Sequence, residues 1–540
     1  MHWSTPGLLA RRASSDPRRR RRLVMEPDMS KSSLGGLDMV QTRAADEGTS
    51  AQHAIECNPL DGEEPRNKQA RSSGIQEATT STTVAGAGEF ALAALATPGP
   101  PQLTIVGHLE PDDRMRLGSA CTSLRLASRD WFPEVTAVVQ PYKLDVASLA
   151  AWLERHQAQL NLVLKVFGTS ASASEWACST IAALPAPLVS SCTASPGLPG
   201  AVSTLTALTS LSVKGRNLYD DTYRLPAHHL GTLSRLRQLS LTCVVLRDTA
   251  EELLSLPALK DLRALGLSSC RLERLPRAMS ALTQLTALDL ASNHQISALT
   301  SLTTLQRLQS LNLHWCGIVA ATVQLSALTA LTRLNLSDNR PESGWQHLLL
   351  AQLQDLNLHS CGLSAVPEQL SALTALTSLN LSSNTEVAGG WQYLLPLAGL
   401  RDLNLSRCGL TEVPQQASSL TTLTLLDLSV NWMTSGGWHH LLSLTQLQDL
   451  DLHSCHLRTV PEQLSVLTAL TSLNLGTNQL LQSGWQHLLP LKQLRYLDLQ
   501  AVGLSEQEAS PLLAMLRADL KTVMLAVRDW WPGAALCSCP

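Results

Sequence analysis

From residue 208 onward, leucine returns in one register: LxxLxLxx, followed by Asn or Cys. The starting leucines are Leu208, Leu236, Leu262, Leu285, Leu308, Leu331, Leu353, Leu376, Leu400, Leu423, Leu447, Leu470 and Leu494, thirteen copies in all. From Leu262 the intervals are 23, 23, 23, 22, 23, 24, 23, 24, 23 and 24, after two longer ones of 28 and 26. The two leucines of LxL lie on the same side of an extended strand, and the residues between and after them face the other way. One side is then core and the other surface.

The rest of each unit, as in VPEQLSAL at 366–373, has a proline suited to a first helical position and leucines three apart, which predicts a short helix or helical turn. A unit of this kind cannot cover its own apolar side, so neighbours must supply the core. The copies should therefore stack into one cooperative solenoid, a parallel sheet on the concave side and short helices on the convex side. Residues 208–504 resemble a leucine-rich-repeat array, in which LxxLxLxxNxL is matched in many copies. The resemblance implies an α/β solenoid and leaves the task of the array open, because such arrays serve many unrelated binding functions.

The chain also repeats at twice this period. LQDLNLHSCGLSAVPEQL at 353–370 returns as LQDLDLHSCHLRTVPEQL at 447–464, and the ninth position alternates Cys270, Asn293, Cys316, Asn339, Cys361, Asn384, Cys408, Asn431, Cys455, Asn478. Successive cysteines fall two strands apart, roughly 10 Å, whereas a disulfide needs alpha carbons within about 7 Å and a zinc site needs ligands within about 2.3 Å of one ion. They are expected to be buried thiols or weak donors in the turn after each strand. The Asn copies carry Trp345, Trp391, Trp438 and Trp485 in one column, each followed by apolar residues at helical spacing; this predicts the inner side of a short helix and hence core.

On the concave face, the fifth position runs Asp289, Asn312, Asn335, Asn357, Asn380, Asn404, Asp427, Asp451, Asn474, Asp498, and the seventh includes His314, His359 and His453. His314 and His359 fall about 10 Å apart, too far for one metal ion. The reading is a polar floor suited to docking a protein target, with Asn312, His314, Asn335, Asn357, His359, Asn380, Asn404, Asp427, Asp451 and His453 as its candidate residues.

Upstream, residues 1–100 are rich in Ser, Ala, Thr, Gly and charge without an apolar period and are expected to be disordered. Arg11, Arg12 and Arg18 to Arg22 fit a nuclear-localisation patch, an organellar transit segment or a plain basic tail. Residues 101–140 read as short helices, and 103–135 resemble an F-box: Ile105 four before Leu109, then Pro111, Asp113, Met115, Leu117 and Cys121. The usual opening Leu-Pro is replaced by PPQL, and the aromatic residue expected after the cysteine is Leu124. The resemblance implies a bridge to a Skp-type adaptor and a cullin-RING ubiquitin ligase, with Ile105, Leu109, Met115 and Leu117 as the adaptor contacts. Residues 141–204 should hold a helix, a cryptic first strand and an irregular connector. Repeats then fill 205–505, and residues 506–540, with Trp530 and Trp531, should cap the array.

Composition narrows the function further. A net charge of −3 gives no general attraction to nucleic acid, and the sequence has neither a phosphate-binding glycine loop, a nucleophile elbow nor a metal-ligand cluster at workable spacing. The expectation is a non-catalytic receptor with no cofactor, metal or membrane partner. Twelve cysteines and the lack of a secretory or membrane-length apolar stretch place it inside the cell, in the cytoplasm, with the nucleus, the cytoskeleton or ciliary axoneme, and an organelle as alternatives. A scaffold of the cytoskeleton or cilium without a ubiquitin link is the competing function.

Overall fold

The structure is a computed structural model, and it describes residues 134–141, 145–165, 171–215, 225–502 apart from 248, 297, 320–322, 342, 479, 480 and 482, and the strand Thr522–Leu525. The F-box-like stretch lies outside the described residues but for its last two, and the basic N-terminal run lies outside them entirely.

The elements open with strand β1 (Glu134–Val139), helix α1 (Val146–His156), β2 (Gln159–Lys165), α2 (Ala171–Ala182), β3 (Val189–Ser195), β4 (Ser210–Lys214), β5 (Gln238–Thr242) and β6 (Ala264–Ser268). The short repeat strands follow: β7 (Ala287–Asp289), β8 (Ser310–Asn312), β9 (Arg333–Asn335), β10 (Asp355–Asn357), β11 (Ser378–Asn380) and β12 (Asp402–Asn404). The last are β13 (Leu425–Asp427), β14 (Asp449–Asp451), β15 (Ser472–Asn474), β16 (Tyr496–Leu499) and β17 (Thr522–Leu525). Each strand pairs in parallel with the next, giving one sheet of 17 strands.

Sequence and structure agree on the core. All thirteen starting leucines are buried, and so are the two leucines of each LxL from Leu265 and Leu267 to Leu497 and Leu499. They join a single apolar cluster running from Val135 to Val502, which is why no repeat has a core of its own.

The sheet starts earlier than the leucine register does. In β1 the buried residues are Val135, Ala137 and Val139, at a period of two; in β3 they are Val189, Cys192 and Ala194, the alternation setting in after a register shift against β2, and neither strand has the leucines that mark later copies. Residues 168–204, expected to be an irregular connector, thus contain α2 and β3. Asp145 caps α1 through its side chain, which accepts from the amides of Ala147 and Ser148.

Opposite the sheet, most repeats close with a 3₁₀ turn rather than an α-helix, such as Glu368–Ala372 after Pro367 or Trp438–Leu441 after Gly437. This changes the reading of the Trp column. At three residues per turn, side chains three and six beyond a tryptophan eclipse it, while the one four beyond swings out. Leu441 and Leu444, after Trp438, are accordingly buried, whereas Leu442 is 45% exposed; its counterparts Leu349, Leu395 and Leu489 are 62%, 46% and 37% exposed. The tryptophans themselves are half-buried and pack against the edge of the core instead of lying within it.

Gly-Trp and Val-Pro belong together. Gly390 has φ +81, and a Cβ there would stand 2.4 Å from the carbonyl oxygen of Val366 in the preceding repeat, so only glycine fits. The amide of Val366 in turn donates to the Gly389 carbonyl at 3.0 Å. The same contact recurs between Val460 and Gly484, whose added Cβ would approach the Val460 oxygen to 2.5 Å.

Candidate functional site

The third, fifth and seventh positions of successive strands stand in register on the open face of the sheet. Asn312 pairs with Asn335, then come Asn357, Asn380, Asn404, Asp427, Asp451, Asn474 and Asp498, one per strand. Most are half-exposed; Asn404 is buried.

Each of these side chains has a local task that the pattern alone did not show. Its Oδ1 accepts the backbone amide two residues later: His314 on Asn312 at 3.0 Å, Ser337 on Asn335 at 3.0 Å, His359 on Asn357 at 2.9 Å, Ser382 on Asn380 at 2.9 Å, Ser406 on Asn404 at 2.9 Å, Ser429 on Asp427 at 2.9 Å and His453 on Asp451 at 2.8 Å. Short polar side chains form such turns readily, and here they end the strands from β7 to β16. The column shapes the edge of the sheet while facing solvent, and an acceptor-bearing residue at a fixed offset in each repeat was the signal for it.

The histidines sit within rows of hydroxyls. His314 Nδ1 lies 2.9 Å from Ser337 Oγ and 3.2 Å from Asp338 Oδ2, and His359 Nδ1 lies 2.7 Å from Ser382 Oγ. Burial lowers the pKa of His359, an effect that Asp338 partly opposes. Among the described residues, no three His, Cys, Asp or Glu side chains converge as a metal ion would need.

The face differs along its length. Near β4 to β8 a groove of about 350 Å³ is lined by small residues, among them Ser212, Ser240, Gly266 and Ala287, with Asp289 and Asn312 toward one end. Further on, Asp427 and Asp451 are register partners on β13 and β14. Burial, and then the Asp427 charge, push the Asp451 carboxyl up to about 6, although the His453 amide and Asn474 side chain work against the shift.

Beneath the face, the ninth positions form a buried ladder. Asn293 Oδ1 accepts the amides of Cys270 (3.1 Å) and Leu272 (3.0 Å), and its Nδ2 donates to the carbonyls of Leu267 (2.8 Å) and Leu290 (2.7 Å). The cysteines reproduce one part of this. Cys316 Sγ donates to the Leu290 carbonyl at 3.1 Å and Cys455 Sγ to the Leu428 carbonyl at 3.2 Å, the sixth position of the preceding repeat in both cases. Burial raises the thiols of Cys270, Cys361, Cys408 and Cys455 to about 12 and that of Cys316 to about 11. They are structural donors and poor nucleophiles.

Strands of three to seven residues, a buried Asn ladder and a helix or turn opposite most of the described strands now stand together, and residues 201–456 match the sequence family described as a leucine-rich repeat region. The fold is that of a leucine-rich-repeat solenoid. A leucine-rich-repeat protein of Leptospira interrogans is similar in structure, at 22% identity over 76% of this chain and 98% of that one, with a TM-score of 0.53. Lesser likenesses include an internalin from Listeria monocytogenes (21% identity, 56% of this chain, 84% of that one, TM-score 0.45) and the Toll–Spatzle complex of Drosophila (17%, 73%, 55%, 0.48). At this identity the Leptospira protein shares the leucine-rich-repeat fold, and nothing is carried from it about partners. No curated protein matches the sequence.

Proposed function

We propose that this leucine-rich-repeat protein is a non-catalytic receptor that holds a protein target on the open face of its sheet and presents it to a ubiquitin ligase. The observation that carries the first half is the register. Half-exposed polar side chains from consecutive strands, including Asn312, His314, Asn335, Asn357, His359 and Asn380, stand side by side at strand spacing. Their backbone is already fixed by the turn hydrogen bonds, so little ordering entropy opposes docking.

Support for the second half is the F-box resemblance of residues 103–135, with Ile105, Leu109, Met115 and Leu117 as contacts to a Skp-type adaptor. Two experiments test the halves separately. A photo-crosslinking amino acid at Asn380 should capture a target that the same group at Gln369, on the opposite side of the repeat, does not; equal capture from both, or from neither, removes the receptor reading. Co-purification with a Skp-type adaptor should be lost in the double variant Leu109→Asp, Leu117→Asp. Adaptor binding that survives it, or is absent from the wild type, removes the ligase link and leaves the repeats as a scaffold of the kind found in the cytoskeleton or ciliary axoneme.

A further inference from the structure

Among the described residues the exposed leucines are Leu349, Leu395, Leu442 and Leu489, and all four hold the same place on the side away from the sheet, directly after the first buried residue of their turn. In the repeats between and before them that place is taken by serine: Ser326, Ser371, Ser418 and Ser465. The row thus alternates strictly, Ser then Leu, over eight successive repeats. Leucine left in water at a regular interval is unfavourable in the free chain and marks a surface to be covered.

The serines suit such a cover. All four are half-buried, and their hydroxyls are already used, donating to the carbonyls of Val323, Glu368, Gln415 and Glu462 at 2.6 to 2.7 Å. A leucine pressed onto them therefore strands no donor.

A row that alternates in this way is complementary to itself. A two-fold axis between Leu395 and Ser418, lying in the plane of contact and across the row, reverses the order of the eight places and exchanges odd for even. Leu395 then meets the partner's Ser418, Leu442 the partner's Ser371, Leu349 the partner's Ser465 and Leu489 the partner's Ser326. This holds whatever the exact spacing of the turns. The same axis governs the row three residues earlier, which is exposed and carries the charges. There Glu368 faces the partner's His439 and Glu462 faces the partner's Gln346, so no like charges meet. Gln369 donates to Glu368 Oε1 at 3.0 Å but leaves its charge uncompensated, and an imidazole can supply what is missing.

We propose that two copies of this chain associate back to back through the Leu and Ser row, antiparallel about an axis between Leu395 and Ser418. The proposal goes beyond the receptor reading and does not depend on it, since the open face of each copy stays uncovered. Eight turns at about 4.8 Å make a row of roughly 38 Å, and a contact about 15 Å wide along it buries on the order of 1,100 Å² over both copies. That suffices for a reversible dimer, not an obligate one.

The test is sedimentation velocity on the full chain from about 0.5 to about 50 µM, over which the mass should rise from that of one chain to that of two. Leu395→Ser with Leu442→Ser, which sets serine on serine at the centre, should weaken self-association at least about tenfold. Val319→Ser, at an exposed apolar residue outside the row, should leave it unaltered. Glu368→Lys should weaken it about threefold, and adding His439→Glu should restore it. Urea unfolding at the lowest concentration, where the chain is single, establishes that each variant is folded. The photo-crosslinker at Gln369 should join two copies of the chain and capture nothing else. A folded wild type that stays single throughout, a dimer that the leucine pair leaves intact, or a charge exchange that fails to restore it overturns the proposal. So does leucine-dependent flotation of single chains with phosphatidylcholine vesicles, which would make the row a lipid-facing surface. Capture of a target at Asn380 is unaffected by any of these results, so the receptor reading stands or falls separately.

Discussion

Asn431 Oδ1 lies 2.9 Å from the amide nitrogen of Cys408 and 3.0 Å from that of Leu410, so one fully buried side chain closes the turn of the repeat before it. Its Nδ2 donates to the Leu405 and Leu428 carbonyls at 2.9 and 2.8 Å. Cys408 supplies only a donor, to Leu381 at 3.2 Å. Asn431→Ala leaves several backbone groups buried without partners and should destabilise by about 3 kcal/mol, whereas Cys408→Ala should lose only about 1 kcal/mol. Urea unfolding of the two variants checks the ratio, and equal losses would mean that the ladder does not depend on the acceptor.

Asp451 makes stability depend on pH in the direction opposite to most carboxylates. Its folded pKa of about 6 stands above the ordinary value of 3.8, so the folded state is penalised above pH 6 and the penalty fades as pH falls toward 4. Asp451→Asn keeps an oxygen for the His453 amide and should raise stability by about 1–2 kcal/mol at pH 7.5. Thermal melts from pH 4 to 8 should show the two proteins converging at the acid end; a constant difference would refute the assignment.

Thiol labelling should divide the cysteines by burial. Cys192, Cys270, Cys316, Cys361, Cys408 and Cys455 are buried, with Cys192 also pushed up to about 12 by burial, while Cys178 and Cys243 are half-buried. Iodoacetamide at pH 8 should leave the first six unmodified in the folded protein and reach them in urea, as peptide mass spectrometry would read.

Adjacent leucines in one 3₁₀ turn should behave differently. Leu441 is fully buried and Leu442 is 45% exposed. Leu441→Ala should destabilise by about 3 kcal/mol and Leu442→Ala by less than about 0.5 kcal/mol. Comparable losses would restore the α-helical reading of this segment.

Val430 has φ +57, a conformation that a β-branched residue adopts only under strain. Val430→Asn should therefore stabilise by about 1 kcal/mol. A lower urea midpoint in the variant would show that contacts of the valine outweigh its backbone strain.

Much of the fold was legible because burial in this architecture has a fixed period. Leu208 to Leu494 could be placed inside from spacing alone, and all are. Beyond that register the reading failed for physical reasons. In β3, Cys192 and Ala194 fill inner positions with small side chains, so the alternation there runs without leucine. Leu395 belongs inside on an α-helical reading and is exposed because α and 3₁₀ turns differ by about 20° per residue. Over four residues this small difference carries a side chain from the core to water. On the open face, the column of Asn and Asp was visible, but its turn hydrogen bonds were not.

The pairing of a cysteine turn with an asparagine turn also limits how such an array can change in length. Each Asn serves the Cys repeat before it, and Gly390, Gly437 and Gly484, each before a Trp, fit against the Val-Pro of that same repeat. Losing a single 23-residue copy would bring two cysteine turns together, one of them without its amide acceptor, and would set Val-Pro where the glycine belongs. Duplicating or deleting a couplet, such as the 47 residues from Leu400 to Gln446, leaves every junction as it was. The couplet is thus the smallest piece that recombination can copy without breaking the coil.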